Sequence, residues 1–185
     1  MEEKKALRKQ FADIIKSHGK IIAGEALLQL FVLGFLFVVD GLRTISGVLF
    51  TVIYGTLIYC CAKKTGEADM KSYSVLKPSL IKGALLGASI VIISLLLFAV
   101  DKGMWAWFCA DGELTNMFAK IVNVFFVIWI IPYYGFMGDG TGIVTAAVAI
   151  LMIAVPVLSS LLGYFAGIKG INILEKFNLS MYEKK

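Results

Sequence analysis

The chain has little of what soluble chemistry requires. It carries one histidine, His18, and three cysteines: Cys60 and Cys61 are adjacent and Cys109 stands alone. No Cys-x-x-Cys pair occurs. A structural zinc site takes about four ligands, so a metal centre and a disulfide scaffold are both disfavoured. Neither His-Glu-x-x-His nor Gly-x-Ser-x-Gly is present, and acid–base catalysis would rest on scattered carboxylates. The expectation is a protein without catalytic residues, metal or cofactor. Charge is also scarce, at 17% of residues, and long blocks have almost none.

What fills those blocks is apolar. Hydrophobic residues make up 59% of the chain, against roughly 45–50% in soluble domains, and the mean hydropathy is +0.84. Uncharged runs alternate with short charged stretches, the pattern of a chain whose apolar surface faces lipid. The net charge is +5. Its lysines and arginines sit beside the apolar runs, where they set orientation and meet anionic headgroups. The bilayer is therefore the expected partner, and nucleic acid is not.

Residues 1–20 place Leu7, Phe11, Ile14 and Ile15 at helical spacing among charges, which predicts an amphipathic helix on the cytoplasmic membrane surface. Five apolar segments follow, at about 21–39, 45–62, 83–100, 121–136 and 143–168, and 169–185 form a polar tail. The fold class expected is an all-α integral membrane protein of four to five transmembrane helices. Asp40 to Thr44 and Gly138 to Gly142 read as turns. The 63–82 loop holds Lys63, Lys64, Lys71, Lys77 and Lys82, and Pro78 suits the start of the third helix. Trp105, Trp107 and Phe108 suit an interfacial aromatic belt. Segment four, closed by Pro132, is roughly 24 Å long as a helix, short for a core of roughly 30 Å. Segment five is roughly 39 Å long and must tilt, kink at Pro156 or emerge.

Positive charge puts the N-terminus and the 63–82 loop in the cytoplasm, most simply at a bacterial plasma membrane. Five crossings would then put Lys169, Lys176, Lys184 and Lys185 outside, against the same rule. Either segment four is re-entrant, leaving four crossings, or the late segments obey the rule less strictly; five segments are favoured, with the side of the C-terminus open.

Glu25 is the one ionisable residue inside an apolar segment. An intramembrane acid is a functional candidate by default, although near the headgroups it has the plainer role of an acid paired with Lys20 or the basic loop. Gln29 lies one turn deeper on the same face, and Asn123 is the polar residue of segment four. These three are the candidate ion or substrate residues. Gly83 with Gly87, and Gly163 with Gly167, form small-xxx-small steps that let helices approach closely, within the chain or against a partner. Ser159 and Ser160 suit hydrogen bonds between helices, and Asn178-Leu179-Ser180 matches a glycosylation acceptor. The sequence favours a non-catalytic subunit or accessory protein of a membrane complex, with a membrane-protein partner or a homo-oligomer. The alternative is a small oligomeric transporter or channel using the Glu25–Gln29 stripe.

Overall fold

In a computed structural model the apolar blocks are helices. The structure describes residues 2–36, 42–72, 74–110, 113–137 and 144–171, with side chains for 2–29 and from 44 onward within these ranges. Of the turn placed at 40–44, the residues from Leu42 on open a helix and the rest lie outside the described residues, as do the turn at 138–142, the acceptor at 178–180 and most of the tail.

Helix α1 spans Glu2–Leu36, α2 Leu42–Asp69, α3 Leu80–Phe108, α4 Met117–Trp129 and α5 Ala146–Lys169. A 3-10 turn, Ile131–Phe136, follows α4, and Cys109–Ala110 pairs with Glu113–Leu114 in a minimal antiparallel hairpin after α3. Among the described residues three helices are long and apolar enough to cross a membrane: Thr44–Asp69, Leu80–Phe108 and Ala146–Lys169. Only 33%, 33% and 28% of their most apolar 18-residue stretches are buried inside the bundle. Leu96, Phe125 and Ile150 stand outward and are more than half exposed, an arrangement that suits lipid and not water.

The predicted break between a surface helix 1–20 and a span 21–39 is absent: α1 runs unbroken for 35 residues. The reason is a single buried stripe, Ile14, His18, Ile22, Glu25 and Gln29, spaced four, four, three and four apart as one helix face requires. The charges of the first half lie off that stripe. The loops also shrink. α2 carries Lys63, Lys64 and Glu67 on its last turns to Asp69, and α3 continues past Asp101 to Phe108. Charged residues propagate a helix well once apolar turns have nucleated it.

The glycines set the helix spacing. A Cβ on Gly163 would collide with the Tyr59 backbone, and one on Gly167 with the Lys63 carbonyl. One on Gly83 would lie 2.8 Å from Tyr164 Cβ. α5 therefore lies flush against α2 on one side and α3 on the other. These contacts also fix direction. The last turns of α2 and α5 and the first turn of α3 gather at one end of the bundle.

α4 descends along α3 from the opposite end. Asn123 pairs with Asp101 at 2.8 Å, the Phe126 and Phe98 rings lie 5.8 Å apart, and Trp129 Nε1 donates to Ser94 Oγ at 2.8 Å. Asn116 caps this helix by accepting from Phe118 and Ala119. At Ile130 the chain turns back. Pro132 O meets Thr51 of α2 at 3.0 Å, and a Cβ on Gly47, one turn nearer the start of α2, would lie 2.7 Å from Gly135 Cα. Thirteen residues, about 20 Å, carry α4 only part of the way along α3.

Candidate functional site

Among the described residues three carboxyls are buried, at three heights of the bundle: Asp69, Glu25 and Asp101, exposed by 4%, 2% and 1%. Their surroundings differ in kind.

Asp69 closes α2. Its Oδ1 accepts from Gln10 Nε2 at 2.7 Å. Its Oδ2 accepts from Tyr164 O–H at 2.6 Å and is ion-paired with the Lys82 ammonium. Four helices meet at this one side chain. The sequence reading missed it, because the last turn of α2 resembled loop; only the continuation of the helix past Lys64 makes Asp69 an interior residue.

Glu25 lies midway along the bundle. Neither carboxyl oxygen has a hydrogen-bond partner among the described residues. The expected pairing with Lys20 or the basic loop is not formed, because Glu25 shares the buried stripe of α1 while Lys20 lies off it. The residues grouped here are polar and aromatic. His18 Nδ1 and the Tyr54 hydroxyl are 2.8 Å apart, the His18 and Trp129 rings 4.4 Å, and the Tyr54 and Tyr133 rings 5.8 Å. The Glu25 carboxyl is within electrostatic reach of the Tyr54 and Tyr133 hydroxyls. His18 Nε2 is buried and has no partner among the described residues. His18, expected near the surface, is 3% exposed, carried inward by the continuity of α1. Nothing in the hydropathy of residues 1–20 signalled this; the four-residue spacing from Ile14 through His18 to Ile22 did.

Gln29 has a different task. Its Nε2 donates to the Ile131 carbonyl at 2.8 Å, while Thr51 bonds the next carbonyl, Pro132. A chain reversal inside an apolar bundle frees backbone carbonyls that lipid cannot satisfy. Gln29 and Thr51 satisfy these two, so the stripe divides into a structural amide and an unpartnered acid.

Asn123, the third candidate, donates to Asp101 Oδ1, whose Oδ2 is left unpartnered. Asn123 is thus not gathered with Glu25 and Gln29. Ser160 donates to the Gly83 carbonyl at 2.7 Å, and all four predicted packing glycines meet neighbouring helices of the same chain. Among the described residues no group of three or more His, Cys, Asp or Glu is placed to hold a metal ion. A buried carboxyl in such a setting needs a proton, a cation or donated hydrogen bonds, and at Glu25 the described residues supply none of the last. No protein-family model matches the chain, and comparison with curated proteins and with solved structures finds no similar one.

Proposed function

We propose that the protein is a small membrane transporter or channel in which Glu25 carries the translocated or coupling proton. The observation behind this reading is the buried Glu25 carboxyl, which has no hydrogen-bond partner among the described residues. Intramembrane acids of this kind are costly to keep and mark proton and ion pathways. Asp101 lies towards one end of the bundle and Asp69 at the other, so titratable groups stand at both approaches to Glu25.

The accompanying topology is four crossings, by α1, α2, α3 and α5, with α4 and the 3-10 turn re-entrant. The reversal at Ile130 to Pro132 supports it, and the lysine-rich tail then shares a side with the lysine-rich end of α2. That side is the cytoplasm by the distribution of positive charge, and a bacterial plasma membrane is the natural setting.

The test is proton flux in proteoliposomes with an internal pH-sensitive dye and a potassium diffusion potential. Wild type dissipates the imposed gradient. Glu25→Gln lowers the rate by roughly two orders of magnitude, the usual worth of a positioned proton-transfer group, with the protein still folded. Equal flux in the two, or none above empty vesicles in wild type, ends the proposal.

The accessory-subunit reading retains one observation. Trp107, Met117 and Phe118 are exposed by 81%, 78% and 62% around the hairpin, a patch suited to a membrane partner. Co-purification of a stoichiometric partner that is lost with Trp107→Ser and Phe118→Ser would favour that reading. The internal use of the glycine faces weakens it.

A further inference from the structure

A groove of about 700 Å³ runs along the seam of α2 and α5, away from the polar axis. Its size is within the roughly 300–1,000 Å³ of ordinary ligand sites. The α2 side is one helical stripe whose chemistry changes along its length. Val52 and Gly55 come first, Tyr59 follows, and Lys63, Lys64 and Glu67 stand at the mouth. From α5, Val155 and Leu162 complete an apolar trough. Gly55 forms part of its floor: a Cβ there would meet Ser159 Oγ at 3.0 Å and Val155 Cγ1 at 3.3 Å. The Tyr59 hydroxyl, near the charged end, is buried without a partner.

We infer that this groove binds a membrane phospholipid carrying one net negative charge, with an acyl chain in the trough and the phosphate at Lys63 and Lys64. The polarity gradient of the groove is that of the lipid, apolar within the span and charged where α2 leaves it. Lys63 lies 3.6 Å from Glu67, and the described charges at the mouth, two lysines and one glutamate, sum to +1, which complements a single phosphodiester. Lysines where a helix leaves its apolar span attract anionic headgroups.

The full-length protein in mild detergent is titrated with phosphatidylglycerol or phosphatidylethanolamine and read by native mass spectrometry. Wild type keeps one phosphatidylglycerol in preference to phosphatidylethanolamine. Replacing Lys63 and Lys64 together by Ala weakens phosphatidylglycerol retention roughly thirtyfold, the joint worth of two lysines at an anionic surface, and leaves phosphatidylethanolamine unchanged. Val52→Trp, at a position 60% exposed to the groove side, weakens both by filling the trough. Equal retention of the two lipids by wild type overturns the inference, as does retention unaffected by the lysine changes. A dimer that Val52→Trp converts to monomer with lipid binding intact also overturns it and gives the groove to a second copy. If Val52→Trp does not fold, the lysine variant decides alone. None of these outcomes depends on flux through Glu25.

Discussion

Asp69 and Glu25 are both carboxyls buried in the same bundle, and they are treated in opposite ways. Asp69 receives a hydrogen bond from α1, another from α5 and an ammonium from α3. Glu25 receives no hydrogen bond from the described residues. A satisfied buried charge network fixes the relative positions of the helices that contribute to it. An unsatisfied one costs stability and persists where a ligand or a proton completes it. The first carboxyl is thus the fastening of the bundle and the second its candidate working group.

The strongest way to break this contrast is Asp69→Ala. It leaves Lys82 buried without its counter-charge, a loss on the order of 3–5 kcal/mol, and denaturant titration of the purified protein should show most of its stability gone. Gly163→Leu comes next. Its side chain has no space against the Tyr59 backbone, and overpacking of this kind costs typically 1–3 kcal/mol or more. The α2–α5 seam should part within the monomer, with a lower thermal midpoint that is independent of protein concentration. An assembly defect in an otherwise stable monomer would instead place that glycine at a subunit contact.

Glu25→Gln sharpens the contrast from the other side. Because no partner is lost, unfolding free energy should stay within about 1 kcal/mol of wild type or rise, the outcome expected when an unpaired buried charge is removed, while proton flux collapses. A destabilisation as large as that of Asp69→Ala would show that Glu25 is structural after all. The smallest effect belongs to Ser94→Ala, which removes the acceptor of the Trp129 indole. Hydrogen bonds between helices in a membrane average about 0.6 kcal/mol, and a shift of that size in the denaturation midpoint is expected, with flux unchanged.

Much of the fold was legible from local pattern. The apolar blocks, the close-packing glycines and the shortness of segment four are properties of neighbouring residues, and hydropathy and spacing report them directly. The ends of helices were less legible. Lys63 to Asp69 and Asp101 to Phe108 look like loop by polarity, yet continue their helices because each added residue forms another backbone hydrogen bond. The site was legible only in part. Glu25 and Gln29 stood out as polar residues in an apolar run, but their different fates depended on a carbonyl 102 residues away. His18, Asp69 and Asp101 were hidden because each sits in a charged or boundary stretch and becomes interior only by helix continuation.

The sequence by itself determined a helical membrane protein, because apolar runs of this length can satisfy their backbone in lipid only as helices. It also determined where helices can touch, because glycine alone leaves room for two backbones. Only the tertiary structure decided that α4 turns back beside α2, that Gln29 caps the carbonyl freed there, that Asp69 joins four helices and that Glu25 joins none. Those outcomes depend on which faces meet across the bundle, and a pairing between residues so far apart in the chain leaves no trace in the local spacing of either.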